Sequence, residues 1–242
     1  MRIEDLKSFI KESDNIVFFG GAGVSTESGI ADFRSQAGIY TNIRNLDRSP
    51  EYMLSHTCFA NDTAEFFDFY KDNMVYLDAK PNQAHKALAE LEKRGKLKAV
   101  ITQNIDGLHQ MAGSKNVLEL HGSVHENYCV KCRKSFSVDY VLNQEGIPHC
   151  DKCDGIVRPD VVLYEEGLDM NVVDKSIEYI RNADMLIVGG TSLVVYPAAG
   201  LVDQYMGEKL VLINKSKTQY DSKANLVFNQ GIGKVLKEAI DY

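Results

Sequence analysis

This 242-residue sequence predicts an α/β fold, a doubly wound parallel sheet with a small second lobe, on three grounds. Several short runs are apolar throughout and end in glycine or polar turns, as strands buried on both faces do. Helical patterns lie between those runs, which is the signature of crossover connections. Two stretches, 36–78 and 125–154, break the alternation and offer the main sheet no obvious strand.

Strands are expected at 15–21 (NIVFFGG), 97–104 (LKAVITQN), 116–122 (NVLELHG), 184–192 (DMLIVGGTS) and 209–214 (KLVLIN). The chain opens with Ile3, Leu6, Phe9 and Ile10 at helical spacing, unlike the continuous apolar core of a signal peptide. In PNQAHKALAELEKRG, Ala84, Ala87, Leu88 and Leu91 share one helical face. Pro81 suits that helix's first turn and Gly95 its end. Phe66, Phe69, Tyr70, Met74 and Leu77 mark an aromatic-rich helix in the first interruption, and Val235 to Ile240 read as a closing helix. The expected organisation is a Rossmann-like unit built from 1–35, 79–124 and 155–242. The helical insertion 36–78 and the insertion 125–154 pack together as the small lobe.

Hydrophobic residues make up 44% and charged residues 25%, enough apolar content for a sizeable core. The formal charge is −7 without long runs of like charge, which counts against nucleic acid or an acidic membrane and suits a basic peptide. No apolar stretch is long enough to span a bilayer. A cytoplasmic protein, monomeric and without a membrane or nucleic-acid partner, is expected.

Of five cysteines, four form two C-x-x-C pairs, Cys129/Cys132 and Cys150/Cys153, with 17 residues between the pairs. Two such turns can wrap one Zn²⁺ in four thiolates, leaving no open position for water, so a structural ion is expected. The segment carries balanced charge, which gives a nucleic-acid ribbon no phosphate footprint. Cys58 stands alone and reads as a small buried hydrophobe.

Gly21-Ala22-Gly23 follows the first strand and should lead into a helix whose N-terminus can hold a diphosphate. Thr26 stands where a dinucleotide fingerprint has its third glycine, and no Lys-Ser/Thr pair follows to make a P-loop. A second glycine and hydroxyl turn, VGGTSL at 188–193, follows another strand. In an open parallel sheet such turns gather at one edge, so two of them suit a dinucleotide. TQNIDGLH and ELHGSV also follow strands, which brings Gln103, Asn104, Asp106 and His121 toward the same crevice. His121 has the residue type of a base near neutrality. Taken singly, Asn104 and Asp106 are equally turn formers.

GAGVSTESGIADFRS, TQNIDGLH, LHG, the cysteine pairs, GTSLVVYP and LIN occur in the order found in sirtuins, the NAD-dependent protein deacylases. The chain resembles their bacterial type from about Asp5 to about Leu236. The resemblance implies NAD as co-substrate and an acyl-lysine peptide meeting it between the lobes. It implies that Ala22, Gly23 and Ser25 hold the diphosphate, and that Asp32, Phe33 and Arg34 lie beside the nicotinamide ribose. Gln103 and Asn104 would position that ribose, and Ile105 and Asp106 would take the carboxamide. Gly190, Thr191 and Ser192 would form the second phosphate and ribose loop, with Asn214 on the adenosine side. His121 would be the base, acting with Asn104 and Asp106. Val161, Val162, Leu163 and Tyr164 would pair with the peptide as one strand, and Val194 and Val195 as another. The implied products are nicotinamide, 2′-O-acetyl-ADP-ribose and free lysine.

Three departures from the family pattern carry expectations. Gly21 and Ala31 replace the usual Thr and Pro, which should loosen the cofactor loop when empty. Tyr164-Glu165 replaces Phe-Gly, and Glu165 should place charge beside the substrate backbone, favouring basic flanking residues. Tyr70 matches a substrate-side position of the acidic-acyl enzymes, but Asn73 stands in place of their arginine, so acetyl and other neutral acyl groups are expected. Two alternatives stay open: protein ADP-ribosyl transfer at the same site, and a zinc module that senses NAD without catalysis.

Overall fold

The computed structural model describes residues 2–32 and 48–240. Its strands are β1 (Ile16–Gly20), β2 (Leu97–Thr102), β3 (Val117–Glu119), β4 (Gly122–Cys129), β5 (Ser135–Ser137), β6 (Val157–Val161), β7 (Met185–Gly189), β8 (Leu210–Ile213) and β9 (Leu226–Phe228). Six form one parallel sheet in the order β3-β2-β1-β7-β8-β9, and β5-β4-β6 form a separate antiparallel sheet. The winding reverses between β1 and β7, so a crevice opens at their carboxyl ends, the usual place for a ligand in such sheets.

The main strands are apolar throughout because both faces are covered. Alternation sends Ile16 and Phe18 to one side and Val17 and Phe19 to the other. The first face packs against the helices Arg2–Glu12, Gln83–Lys93 and Ile232–Ile240, through Leu6, Leu88, Leu91 and Leu236. The second packs against the Met170–Asn182 helix and the 3₁₀ helix Ala198–Gln204, through Val173, Ile180 and Leu201. Each fully buried phenylalanine contributes about 2 to 3 kcal/mol.

A third apolar cluster lies elsewhere. It joins Cys58, Phe66, Phe67, Phe69 and Tyr70 to Val124, Cys129, Phe136, Val157, Val161 and Leu163. Among the described residues its helical part is three helices rather than one, Pro50–Met53, His56–Asn61 and Thr63–Met74. Ser49 and Ser55 begin the first two, their hydroxyls accepting the N–H of Tyr52 (3.2 Å) and Cys58 (3.0 Å). The expected boundaries at 124/125 and 154/155 cut across the antiparallel sheet, because Val157, Val161 and Leu163 bury against this cluster and not the main one.

The single strand expected at 116–122 is two. β3 ends at Glu119, and at Gly122 the chain enters the other sheet, opposite Val161 of β6. Gly122 has φ +74°, and a Cβ there would lie 1.9 Å from the Asp160 carbonyl oxygen, so only glycine makes this crossing. His121 therefore sits at the hand-over between the two sheets. β9 was not anticipated, since its three residues, two half-buried and Phe228 buried, make an apolar run too short to read as a strand. No described helix is long and apolar enough to cross a membrane.

Candidate functional site

The turns after β1 and β7 interlock. Gly23 N–H donates to the Gly190 carbonyl (2.8 Å) and Gly21 N–H to that of Gly189 (3.4 Å). Gly190 is left-handed, φ +60°, and a Cβ on it would lie 2.3 Å from the Val24 nitrogen. A Cβ on Gly21 would lie 2.9 Å from the Thr191 Cβ, so Thr191 fills the space a side chain at 21 would need. The α-helix expected after this turn is replaced by two 3₁₀ turns, Ala22–Val24 and Thr26–Ser28, closed by Gly29 at φ +86°. The Thr26 hydroxyl bonds the Gly23 carbonyl (3.0 Å), the kind of local competition that diverts a chain from a helix.

Side chains from neighbouring strand ends knit around this contact. Gln103, after β2, donates from Nε2 to Thr191 Oγ1 (3.2 Å). Thr191 N–H donates to Asn214 Oδ1 (3.0 Å), and Asn214 Nδ2 to the Thr191 carbonyl (2.6 Å). Ser192 follows, exposed. Ala22, Gly23, Gln103, Gly190, Thr191, Ser192 and Asn214 thus gather at one sheet edge.

Deeper in, buried Ser25 donates to Asp106 Oδ2 (2.6 Å) and accepts from Asn104 Nδ2 (3.0 Å). The other Asp106 oxygen, Oδ1, accepts the Leu108 N–H (2.9 Å). Ile105 packs on the third cluster, its carbonyl holding the Val124 N–H (3.0 Å). Asp32 is half-buried at the end of the described loop. Phe33 and Arg34 lie outside the described residues.

His121 Nδ1 lies 3.0 Å from the Gln103 carbonyl oxygen, which can only accept. Nδ1 therefore carries the proton, and the Nε2 lone pair is left for chemistry. Burial lowers the His121 pKa, and the Gln103 bond opposes that in part. On its other side, the His121 carbonyl accepts the Val162 N–H (3.0 Å).

Three further histidines back the site. His125 Nε2 meets the Asp106 carbonyl (3.1 Å), and its ring lies over Gly107 where a Cβ would be 2.7 Å away. His85 and His109 are buried with ring centroids 4.7 Å apart. His85 Nδ1 accepts the Asn82 N–H (3.2 Å), while Asn82 Nδ2 holds the Val24 carbonyl (2.7 Å) and Ser28 Oγ (3.0 Å) of the cofactor turn. His85 Nε2 and both His109 nitrogens have no partner among the described residues. Burial pushes His85 down to about 4, with Asp106 pulling the other way, and His109 down to about 3. For His125 the glycine in the DGLH run was the available signal.

Val161 and Leu163 are buried and Val162 and Tyr164 half-buried along the edge continuing β6. Tyr164 N–H reaches the Leu54 carbonyl, and His56 N–H the Tyr164 carbonyl, each at 3.0 Å. Val194 is 54% exposed and Val195 half-buried, in irregular chain rather than the expected strand. Tyr70 is only 1% exposed, stacked on Phe66 within the third cluster, its hydroxyl unpartnered among the described residues. Asn73 Nδ2 turns back to the Phe69 carbonyl (2.9 Å). The Glu165 carboxylate, expected beside the substrate backbone, is turned onto Thr57.

The four cysteine sulfurs lie within 4.8 Å of one another, with Cys129–Cys153 at 3.5 Å and Cys132–Cys150 at 3.6 Å. Four Zn–S bonds of about 2.3 Å set tetrahedral edges of about 3.8 Å, so the cluster fits zinc. N–H groups of Lys131 and Cys132 point at Cys129 Sγ and that of Lys152 at Cys150 Sγ, each at 3.4 Å, as around a bound thiolate.

Comparison with known proteins agrees with this geometry. Residues 21–197 match the Sir2 family model. An NAD-dependent protein deacetylase of Clostridium acetobutylicum is 61% identical over 240 residues, covering 99% of this chain and 98% of the relative. One from Staphylococcus epidermidis is 45% identical over 239 residues, covering 99% and 97%. A Sir2 variant solved with a deacetylated p53 peptide and 3′-O-acetyl ADP ribose superposes with a TM-score of 0.91 at 38% identity, over 100% of this chain and 98% of that one. A Sir2 homologue mutant in complex with ADP ribose gives 0.90 at 39%, over 98% and 95%. Sheet order, interlocked turns, cysteine cluster and near full-length identity converge: this chain belongs to the Sir2 family.

Proposed function

We propose that this protein is an NAD-dependent protein lysine deacetylase, releasing nicotinamide, 2′-O-acetyl-ADP-ribose and deacetylated lysine. The observation that carries the reading is the position of His121. Its ring is tied through the Gln103 carbonyl to the glycine crevice, and its backbone through Val162 to the peptide edge. One residue thereby touches both places where the reactants would lie.

NAD, when bound, supplies a ribose carbon that accepts the acyl oxygen as nicotinamide leaves, and a ribose hydroxyl for the next attack. The remaining work falls to this chain. Ala22, Gly23, Gly190, Thr191 and Ser192 receive the phosphates, and Asn214 the adenosine side. Ser25, Asn104 and Asp106 form a linked set of hydrogen-bonding groups that orients the nicotinamide end, with Ile105 beside it. Asp32 serves the ribose side, the role that the family pattern also assigns to Phe33 and Arg34. His121 Nε2 takes the hydroxyl proton, for which a neutral imidazole near pH 7 is required, and burial secures that state. Val161 to Tyr164 and Val194 with Val195 pair with the peptide backbone. Cys129, Cys132, Cys150 and Cys153 hold zinc that stabilises the small lobe and leaves the chemistry to the other residues. The helices between 48 and 78 and the antiparallel sheet act as that lobe, the six-stranded sheet as the NAD-binding unit. The acyl group is neutral, since Asn73 offers no charge to pair with a carboxylate. The enzyme acts as a cytoplasmic monomer on acyl-lysine proteins.

The test is an NAD-dependent assay over acetyl-, propionyl- and succinyl-lysine versions of one peptide, with products identified by mass. Loss of acetyl and release of nicotinamide are expected, with succinyl-lysine the poorest. His121→Ala should lower turnover by about 10²-fold or more with the melting temperature kept. A peptide or protein that gains ADP-ribose instead, or nicotinamide release independent of acyl-peptide, refutes deacetylation.

A further inference from the structure

The edge expected to receive the peptide is fastened at its far end by two consecutive carboxylates. Glu166 is the inner one. Its oxygens accept both terminal nitrogens of Arg158 (2.7 and 3.0 Å), the Leu163 N–H (3.0 Å) and a contact from His56 Nδ1 (3.0 Å). Arg158 is only 7% exposed; its guanidinium also holds the Val161 carbonyl (2.9 Å) and lies 5.1 Å from the Phe59 ring centroid. This fork fixes the start of the edge from beneath.

Glu165 is the outer one. It is exposed, yet its backbone is left-handed, φ +75°, a conformation a glutamate adopts only when something holds it. What holds it is Thr57: Glu165 Oε2 accepts both the Thr57 N–H (2.9 Å) and its hydroxyl (2.7 Å). Thr57 stands in the first turn of the His56–Asn61 helix, where a carboxylate is favoured by the unpaired N–H groups. The same helix and the residues before it bracket Tyr164 through the Leu54 carbonyl and the His56 N–H. Side chain and backbone thus tie Val161–Tyr164 to one small helix.

Resting on the peptide-pairing reading of that edge, we propose that Glu165 is a positioning residue for substrate: its clasp on Thr57 holds Val161–Tyr164 in the register a peptide strand must meet. Glycine at 165 would supply the left-handed backbone without strain and remove the clasp. The edge would then keep its inner ties but lose the outer one, and the ordering left to be done when peptide binds is charged against peptide affinity.

The experiment compares steady-state kinetics of the wild-type enzyme with its Glu165→Gly, Glu165→Gln and Thr57→Val variants. Each is run on one acetyl-lysine peptide with neutral flanks and one with basic flanks. Glu165→Gly and Thr57→Val should raise peptide KM about tenfold, the worth of a charge-assisted hydrogen bond, on both peptides. kcat and NAD KM should be unchanged. Glu165→Gln keeps an acceptor for Thr57 and should restore most of the peptide KM. Unchanged peptide KM in Glu165→Gly and Thr57→Val overturns the clasp. So does a Glu165→Gln variant as impaired as Glu165→Gly on the basic peptide alone, which makes Glu165 a charge contact. A wild-type enzyme inactive on both peptides overturns the deacetylase reading together with this one, whereas an active wild type with indifferent variants overturns the clasp alone.

Discussion

Acid should weaken this fold well before its carboxylates titrate, because His85 and His109 are buried together in the neutral state. Their folded pKa values, about 4 and about 3, lie below the unfolded value of about 6.5. The unfolded chain therefore binds more protons, and stability rises with pH across that window and falls as pH drops through it. At pH 5.5 a histidine that stays neutral in the fold forfeits about 1.4 kcal/mol relative to pH 7.5, and the pair about 2.7 kcal/mol. That is a large part of a typical 5 to 15 kcal/mol. Glu166 acts in a lower window. Burial opposes its charge, but the hydrogen bonds from Arg158, Leu163 and His56 pull it from 4.5 down to about 2, so its contribution is lost only below pH 4.5. The assay is urea unfolding at pH 7.5, 6.5 and 5.5 with zinc in excess. A His85→Gln, His109→Phe double variant removes the titration and should lose correspondingly less over the same range. A wild-type loss under about 1 kcal/mol, or an equal loss in the double variant, would refute the reasoning.

Burial lowers the His121 pKa, so the acid limb of kcat/KM on an acetyl-peptide should fall below pH 6.5; a midpoint at 7 or above contradicts that lowering by burial. Gly190→Ala puts a methyl 2.3 Å from the Val24 nitrogen at a left-handed position, and should cost about 1–3 kcal/mol of stability and weaken NAD binding by calorimetry at least about tenfold. Cys150→Ser should lower bound zinc measured by metal analysis and loosen the antiparallel sheet, seen as faster amide exchange in Gly122–Cys129 with the main sheet still protected.

The main sheet was legible because strands such as IVFFG and MLIVG are buried on both faces, which writes an unbroken apolar run into the sequence. The two glycine turns were legible for a related reason: they end those runs. The crossing at His121 was not, since NVLELHG continues apolar through a change of sheet, and only a backbone clash at Gly122 marks it. The extent of the antiparallel sheet was hidden likewise, its pairing of Tyr128 with Arg158 being set by contacts far apart in sequence. Asn104 and Asp106 could be named from their motif, but not their shared bond partner Ser25. The His85–His109 contact and the Glu165 clasp left no local signal, for each joins residues on different elements with no periodicity between them.

The interlocked turns have a consequence for how the protein comes into being. Gly23 leaves the ribosome early and Gly190 late, with most of the chain between them. Until β7 has been made and has docked beside β1, the first turn has only Asn82, Asn104 and Asp106 to hold it, and the Gly190 side of the dinucleotide pocket does not exist. The growing chain is therefore blind to NAD, and the finished one is rewarded by it: a ligand that binds only the docked state stabilises both halves of the sheet at once. Cellular NAD supply thus bears on how much of this protein stays folded as well as on how fast it works.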